Sequence, residues 1–215
     1  MESQTATTST AAKAGRPRCF CPDKALDRAL EVFWKNGYDG TSLTDLTEAM
    51  GINRPSLYAA YGNKEELFRK AMQRYSDRIA CLLKSADQQP TARAYVQFLL
   101  DKSVEAFTDP NNPGGCFMIQ GPSGSCGHSK KLLEEVNACR TGLACTFRKR
   151  FQQALDDGEF SPGTDINALA EFFSAVKHGM ALQATAGATA DGLRAVVATA
   201  MRAWPNPPAG VAAGD

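Results

Sequence analysis

Residues 22–69 read PDKALDRALEVFWKNGYDGTSLTDLTEAMGINRPSLYAAYGNKEELFR, and this stretch decides the fold. Leu26, Ala29, Leu30, Phe33 and Trp34 follow the i, i+3, i+4, i+7, i+8 spacing of one helix face, which Asn36-Gly37 stops. Ser42 then stands as an N-cap with Asp45 three residues on, the capping-box spacing. Leu43, Leu46 and Met50 form the inward face of that second helix. Gly51 occupies the place of a left-handed C′ residue, and Ile52 points back to lock the turn. Asn53 can cap a third, short helix with Pro55 in its first turn, where a missing N–H does no harm. Leu57 and Ala60 can face the core, which leaves Arg54, Ser56 and Tyr58 outward. Asn63 with Glu66 repeats the capping box before a longer helix. Two short helices joined by a tight turn and flanked by longer ones form a helix-turn-helix, which exposes one short polar helix able to enter a DNA major groove. Packing alone does not call for an exposed set of Arg54, Ser56, Tyr58 and Lys64, although Ser42 could serve only as a cap and Tyr58 could be partly core.

Outward from this stretch the helical periodicity continues over residues 64–84, 91–108, 129–157, 165–186 and 189–204, with no sustained β-type alternation and no internal repeat. Residues 109–115 and 121–129 are rich in Gly, Pro and Ser and interrupt it. The apolar piece between them, residues 116–120, is either a brief helix or an irregular link. Residues 1–18, mostly Ser, Thr and Ala with Lys13, Arg16 and Arg18, are expected to be a disordered basic arm. Residues 205–215, rich in Pro, Gly and Ala, are expected to be a flexible tail.

At 215 residues and 43% hydrophobic, the chain can bury a substantial core. No run of 18 apolar residues and no signal-peptide pattern is present, so the expectation is a cytoplasmic protein without membrane contact. The seven cysteines are odd in number and scattered, which suits reduced thiols. The net charge of +1 hides a gradient: residues 13–84 carry 13 Lys+Arg against 9 Asp+Glu, a net of +4 that leaves −3 for the remainder. An enzyme finds little support. His128 and His178 are the only histidines, and no Gly-x-Ser-x-Gly elbow, phosphate loop or dinucleotide fingerprint occurs. A zinc site from Cys116, Cys126 and His128 would lack a fourth ligand, so neither metal nor cofactor is expected.

Gly37-Tyr38, Thr41-Ser42, Met50-Gly51-Ile52, Ser56-Leu57-Tyr58 and Tyr61-Gly62-Asn63-Lys64-Glu65-Glu66-Leu67-Phe68 together resemble the tetracycline-repressor family of bacterial transcriptional regulators, collinearly over about 50 residues. The resemblance implies an all-α chain of about nine helices. It has a three-helix DNA-binding domain over residues 19–66 and a helical ligand-binding and dimerisation domain over residues 67–204. By resemblance Thr41, Ser42 and Lys64 correspond to phosphate contacts, where hydroxyls and helix N–H groups meet anions. Thr44, Arg54, Pro55, Ser56 and Tyr58 correspond to positions facing base edges. Arg54 suits guanine O6 and N7, while Pro55 and Tyr58 suit thymine methyls. Arg16 and Arg18 could reach a minor groove. The chain departs from the family at Ala59 and Ala60, where larger side chains are frequent, which thins the expected base contacts. It departs again at Tyr61, where Phe is usual and packing is expected.

Beyond residue 85 the resemblance is one of layout. It implies an apolar ligand cavity among the central helices, for which Phe98, Phe107, Cys116, Phe117, Met118, Phe147, Phe172 and Phe173 are the candidates, and hence a small hydrophobic effector. It also implies a homodimer through the last two helices, where Ala175, Gly179, Ala181, Ala184 and Ala198 allow close approach, and therefore a near-palindromic double-stranded operator. The function expected is that of a repressor released from DNA by its ligand. Two other readings stand beside it. One is a redox or electrophile sensor acting through Cys116 or Cys126, a Gly-Cys pair at this place being common in one branch of the family, with Lys130 and Lys131 near enough in sequence to lower a thiol pKa. The other is a helical small-molecule carrier with a vestigial DNA surface.

Overall fold

A computed structural model describes residues 20–122 and 130–205. The described residues form nine helices and no strand: α1 (Pro22–Asn36), α2 (Leu43–Met50), α3 (Arg54–Tyr61), α4 (Lys64–Ala86), α5 (Ala92–Phe107), α6 (Phe117–Gln120), α7 (Lys130–Asp156), α8 (Ile166–Thr185) and α9 (Ala190–Arg202). Residues 116–120, left open between two descriptions, resolve into the four-residue α6 with Cys116 as its N-cap.

The start signals act as the capping chemistry requires. Ser42, Asn53, Asn63, Thr91, Asp165 and Thr189 each accept a backbone N–H from the first turn of the helix they open. Ser42–Asp45 and Asn63–Glu66 form complete capping boxes. Gly51 closes α2 at φ 66°, the left-handed conformation that a glycine adopts without steric cost.

The α1–α4 packing is both apolar and ionic. Ala25, Ala29, Leu30, Phe33 and Trp34 of α1 are buried, as are Leu67, Phe68, Ala71, Met72 and Tyr75 of α4. At their solvent edge the Asp27 carboxylate accepts from Arg74 Nε and NH2, both at 3.0 Å, and from Arg78 at 2.6 Å. The Arg74 bonds are the main reason its carboxyl lies below the usual carboxylate range.

Two aromatic clusters organise the interior. In one, Phe117 of α6 sits among Trp34, Phe68 and Tyr75, with ring centroids 6.2, 5.6 and 5.5 Å away. In the other, Phe147, Phe151, Phe160, Phe173 and Trp204 tie α7 and α8 to the end of α9. Phe117 is therefore the side chain through which α6 joins α1 and α4.

α6 is also held to α1 by polar bonds. Trp34 Nε1 donates to Gly114 O at 3.0 Å and to Gln120 Oε1 at 2.9 Å, and Tyr38 N–H donates to Gly121 O at 2.8 Å. The preceding loop passes so close to α8 that a Cβ at Gly115, whose φ is 63°, would lie 2.7 Å from Ala181 O. Only glycine fits that crossing.

Phe117 is fully buried at the meeting of three helices, so Phe117→Ala should cost about 3–5 kcal/mol. Urea unfolding at fixed protein concentration checks this, the expected result being a lower midpoint at an unchanged slope.

Candidate nucleic-acid interface and interior cavity

α2 and α3 present one continuous outer surface. Ser42, Thr44, Arg54, Pro55 and Tyr58 are exposed, and Ser56 is half-buried at the start of α3. Tyr58 is 49% exposed, so it does not belong to the core, whereas its neighbours Leu57 and Tyr61 are buried. Arg54 NH2 donates to Thr44 Oγ1 at 3.0 Å, which links the two helices and aims the guanidinium along the surface. The Ser42 hydroxyl accepts the Asp45 N–H at 3.1 Å while its own hydrogen stays available to an outside acceptor. α3 carries no acidic residue in its first turn, so its positive N-terminal end is not neutralised locally.

Two expected phosphate contacts are placed differently. Thr41 is only 1% exposed, and its hydroxyl donates to Gly37 O at 2.6 Å. The side chain is spent on the turn between α1 and α2, so an anion could meet only the backbone there. Lys64 is half-buried with its ammonium 4.3 Å from the Tyr38 ring centroid. Burial pushes its pKa down, partly offset by Asp39 and Asp45. Tyr61 packs, as its replacement of the usual Phe suggested, and its hydroxyl donates to Pro22 O at 2.8 Å. Arg16 and Arg18 lie outside the described residues.

A separate cavity of about 220 Å³ lies among α4, α5, α6, α7 and α8. Of the eight candidate lining residues, Phe107, Cys116 and Met118 border it. The other five do not. Phe117 points the opposite way, into the α1–α4 aromatic cluster, and Phe147 and Phe173 fill the second cluster. Phe98 is partly buried against the core elsewhere, and Phe172 is 41% exposed on the outer side of α8. Helical spacing marked all five as apolar-facing, but it could not distinguish a cavity wall from packed core. The remaining wall includes Ile79, Leu82 and Leu83 of α4, Leu99 of α5 and Leu143 of α7, with Tyr75 at one end.

Three basic side chains also reach this cavity, and sequence reading missed them: Arg140 of α7 and the adjacent Lys177 and His178 of α8. The available signal was a Lys-His pair interrupting the otherwise uncharged run from Phe172 to Thr185. Burial pushes the Lys177 ammonium down. His178 is held below the usual imidazole range by burial first and then by the charges of Lys177 and Arg140, so it is neutral at pH 7. Cys116 is buried on the cavity wall and accepts from the Tyr75 hydroxyl at 3.4 Å. Cys126 and His128 lie outside the described residues, and no group of three or more His, Cys, Asp or Glu suited to a metal occurs among the described ones. No described helix is long and apolar enough to cross a membrane.

Residues 25–71 match the model for the bacterial regulatory proteins of the tetR family, and residues 90–204 match a tetracyclin repressor-like C-terminal domain. The chain is 34% identical to the HTH-type transcriptional repressor ComR of Escherichia coli K12, over 89% of this chain and 92% of that one. It is 27% identical to the HTH-type transcriptional repressor BdcR of the same organism, over 86% and 90% respectively. Among solved structures, a cysteine mutant of the TetR family regulator CifR, complexed with 26-base-pair operator DNA, superposes with a TM-score of 0.85. It is 40% identical over 89% of this chain and all of that one.

The Asp45 carboxylate accepts the Ser42 N–H at 2.7 Å, and that bond is the leading cause of its lowered pKa. A depressed carboxyl pKa contributes stability above the unfolded value near 3.8 that is lost as pH falls through the folded value. Protection of the Ser42 amide from hydrogen exchange should therefore decline below about pH 4. An Asp45→Asn variant should lack that acid-dependent step.

Proposed function

The chain belongs to the tetracycline-repressor family of bacterial transcriptional regulators, and on that premise we propose that it is a homodimeric repressor of a near-palindromic operator, released when a small ligand fills the α4–α8 cavity. The observation that carries the DNA-binding part is the outer surface of α2 and α3. Its polar side chains are exposed, or half-buried in the case of Ser56, and apart from helix caps and the Arg54–Thr44 bond they make no hydrogen bond among the described residues. Ser42 and the free N–H groups at the start of α2 suit a phosphate. Arg54 suits a guanine edge, and Thr44, Pro55, Ser56 and Tyr58 suit neighbouring bases and thymine methyls. Lys64 would have to leave the Tyr38 ring to reach a phosphate. A cytoplasmic location follows from this role, since the operator is there.

Dimerisation through α8 and α9 is supported by an apolar outer face. Phe172 and Val176 of α8 and Val196 and Ala200 of α9 border a shallow groove, and Leu182 further along α8 is 57% exposed. A second copy related by a two-fold axis would cover this face and set two α3 helices about one DNA turn apart.

The coupling runs through α6. One side of this short helix, with Cys116 and Met118, borders the cavity, and the other is bonded to Trp34 and Tyr38 at the end of α1. A ligand that moves α6 thereby moves α1 and the α2–α3 unit packed on it. Spacing between recognition helices then differs in the liganded dimer, and affinity for an operator of fixed spacing falls.

Arg54→Ala should weaken binding to the operator by about 1–3 kcal/mol and relax preference at one base pair of each half-site. Fluorescence anisotropy on matched operator variants measures both, and unchanged affinity and preference would exclude the guanine role. Phe172→Glu should turn the dimer into a monomer in sedimentation velocity and lower operator affinity with it, whereas a persistent dimer would place the interface elsewhere.

A further inference from the structure

The cavity combines a hydrocarbon wall with uncompensated positive charge. Arg140 donates to the carbonyl oxygens of Met118 and Ile119 at 3.4 and 3.2 Å, which engages two of its five N–H hydrogens and supplies no countercharge. Lys177 rests 5.4 Å from the Phe107 ring centroid and makes no hydrogen bond or ion pair among the described residues. No carboxylate borders the cavity among those residues, and residues 123–129 contain no Asp or Glu.

Burial of a cation without a partner is unfavourable, and the interior here disfavours the charged form of both Lys177 and His178. The polar groups that border the cavity with Lys177 include Cys116, His178 and Arg140, and none of them is a carboxylate. What the site lacks is therefore a negative charge delivered from outside. The α4 leucines, Leu99 and Leu143 leave room beside it only for a compact apolar group, since 220 Å³ is below the usual drug-sized pocket.

We infer that the cavity takes a small amphipathic anion, a carboxylate or comparable acid on a compact apolar body, whose head group is received by Lys177 and Arg140. This rests on the reading of the cavity as the effector site. It also says how the effector reaches α6. A head group that takes other N–H hydrogens of Arg140 can draw the guanidinium off the Met118 and Ile119 carbonyls, and so loosens the tie between α7 and the helix that holds Trp34. His178, neutral and adjacent, can donate one further hydrogen bond to the acid.

Isothermal titration calorimetry on the full chain tests this with three probes that share one body: phenylpropionate, its amide, and phenylpropylammonium. Phenylpropionate should bind at least about tenfold more tightly than the amide, and the ammonium probe more weakly still. Lys177→Met should level acid and amide while leaving amide affinity unchanged, and Lys177→Arg should restore the preference. The proposal is overturned if amide or ammonium matches the acid, if none of the three binds, or if Lys177→Met keeps the full preference. Operator affinity in the same samples separates the two readings. Acid that binds without releasing DNA upholds the anion site and defeats ligand release. Amide that matches the acid and releases DNA does the reverse.

Discussion

The packing of Phe117 between α1 and α4 is the contact on which the arrangement of the molecule depends. Its ring is fully buried and touches Trp34, Phe68 and Tyr75, so one side chain on a four-residue helix closes the junction between the helix-turn-helix and the rest of the chain. A helix so short has little stability of its own. It holds its shape because Phe117 is anchored on one side, Arg140 grips its carbonyls on another, and Trp34 and Tyr38 bond its flanks. Aromatic pairs at these separations add to the burial of large apolar area, so the junction is stable without being a long continuous helix packing.

In the proposed function, that construction is what would couple DNA binding to the cavity. The DNA-facing surface is rigid for local reasons, namely two capping boxes and a glycine turn. The cavity is bounded by long helices, α4 and α7, cross-tied by Arg69 between Glu65 and Glu135. α6 is the least self-supporting element between them, and it contacts both. In the proposed function, free energy gained in the cavity would be expressed most readily as displacement of α6.

The polar composition of the cavity bears on how selective such a sensor can be. An apolar wall alone discriminates poorly between ligands of similar size, whereas basic side chains facing the cavity favour an anionic occupant over a neutral or positive one. Lys177 and Arg140 supply that discrimination, and neutral His178 adds a directional donor or acceptor without adding charge.

Sequence alone determined every helix except α6, most of their starts and stops, and the polar face of α3, because these rest on interactions within about one turn of chain. Ser42 with Asp45, Gly51, Asn53, and Asn63 with Glu66 are legible for that reason. The same reading does not reach placements set by a partner far off in the chain. The Lys64 ammonium rests on the Tyr38 ring, and five of eight apolar candidates lie in the core or on the surface instead of on the cavity wall. Periodicity says that a side chain faces inward. Whether it meets another ring or an empty space depends on elements up to 86 residues apart, as the Trp34–Gln120 bond illustrates. Lys177 is the clearest instance: in the sequence it is one cation among 24, and only the folding of α5, α6 and α7 around α8 leaves it facing an apolar cavity with no carboxylate on its wall among the described residues.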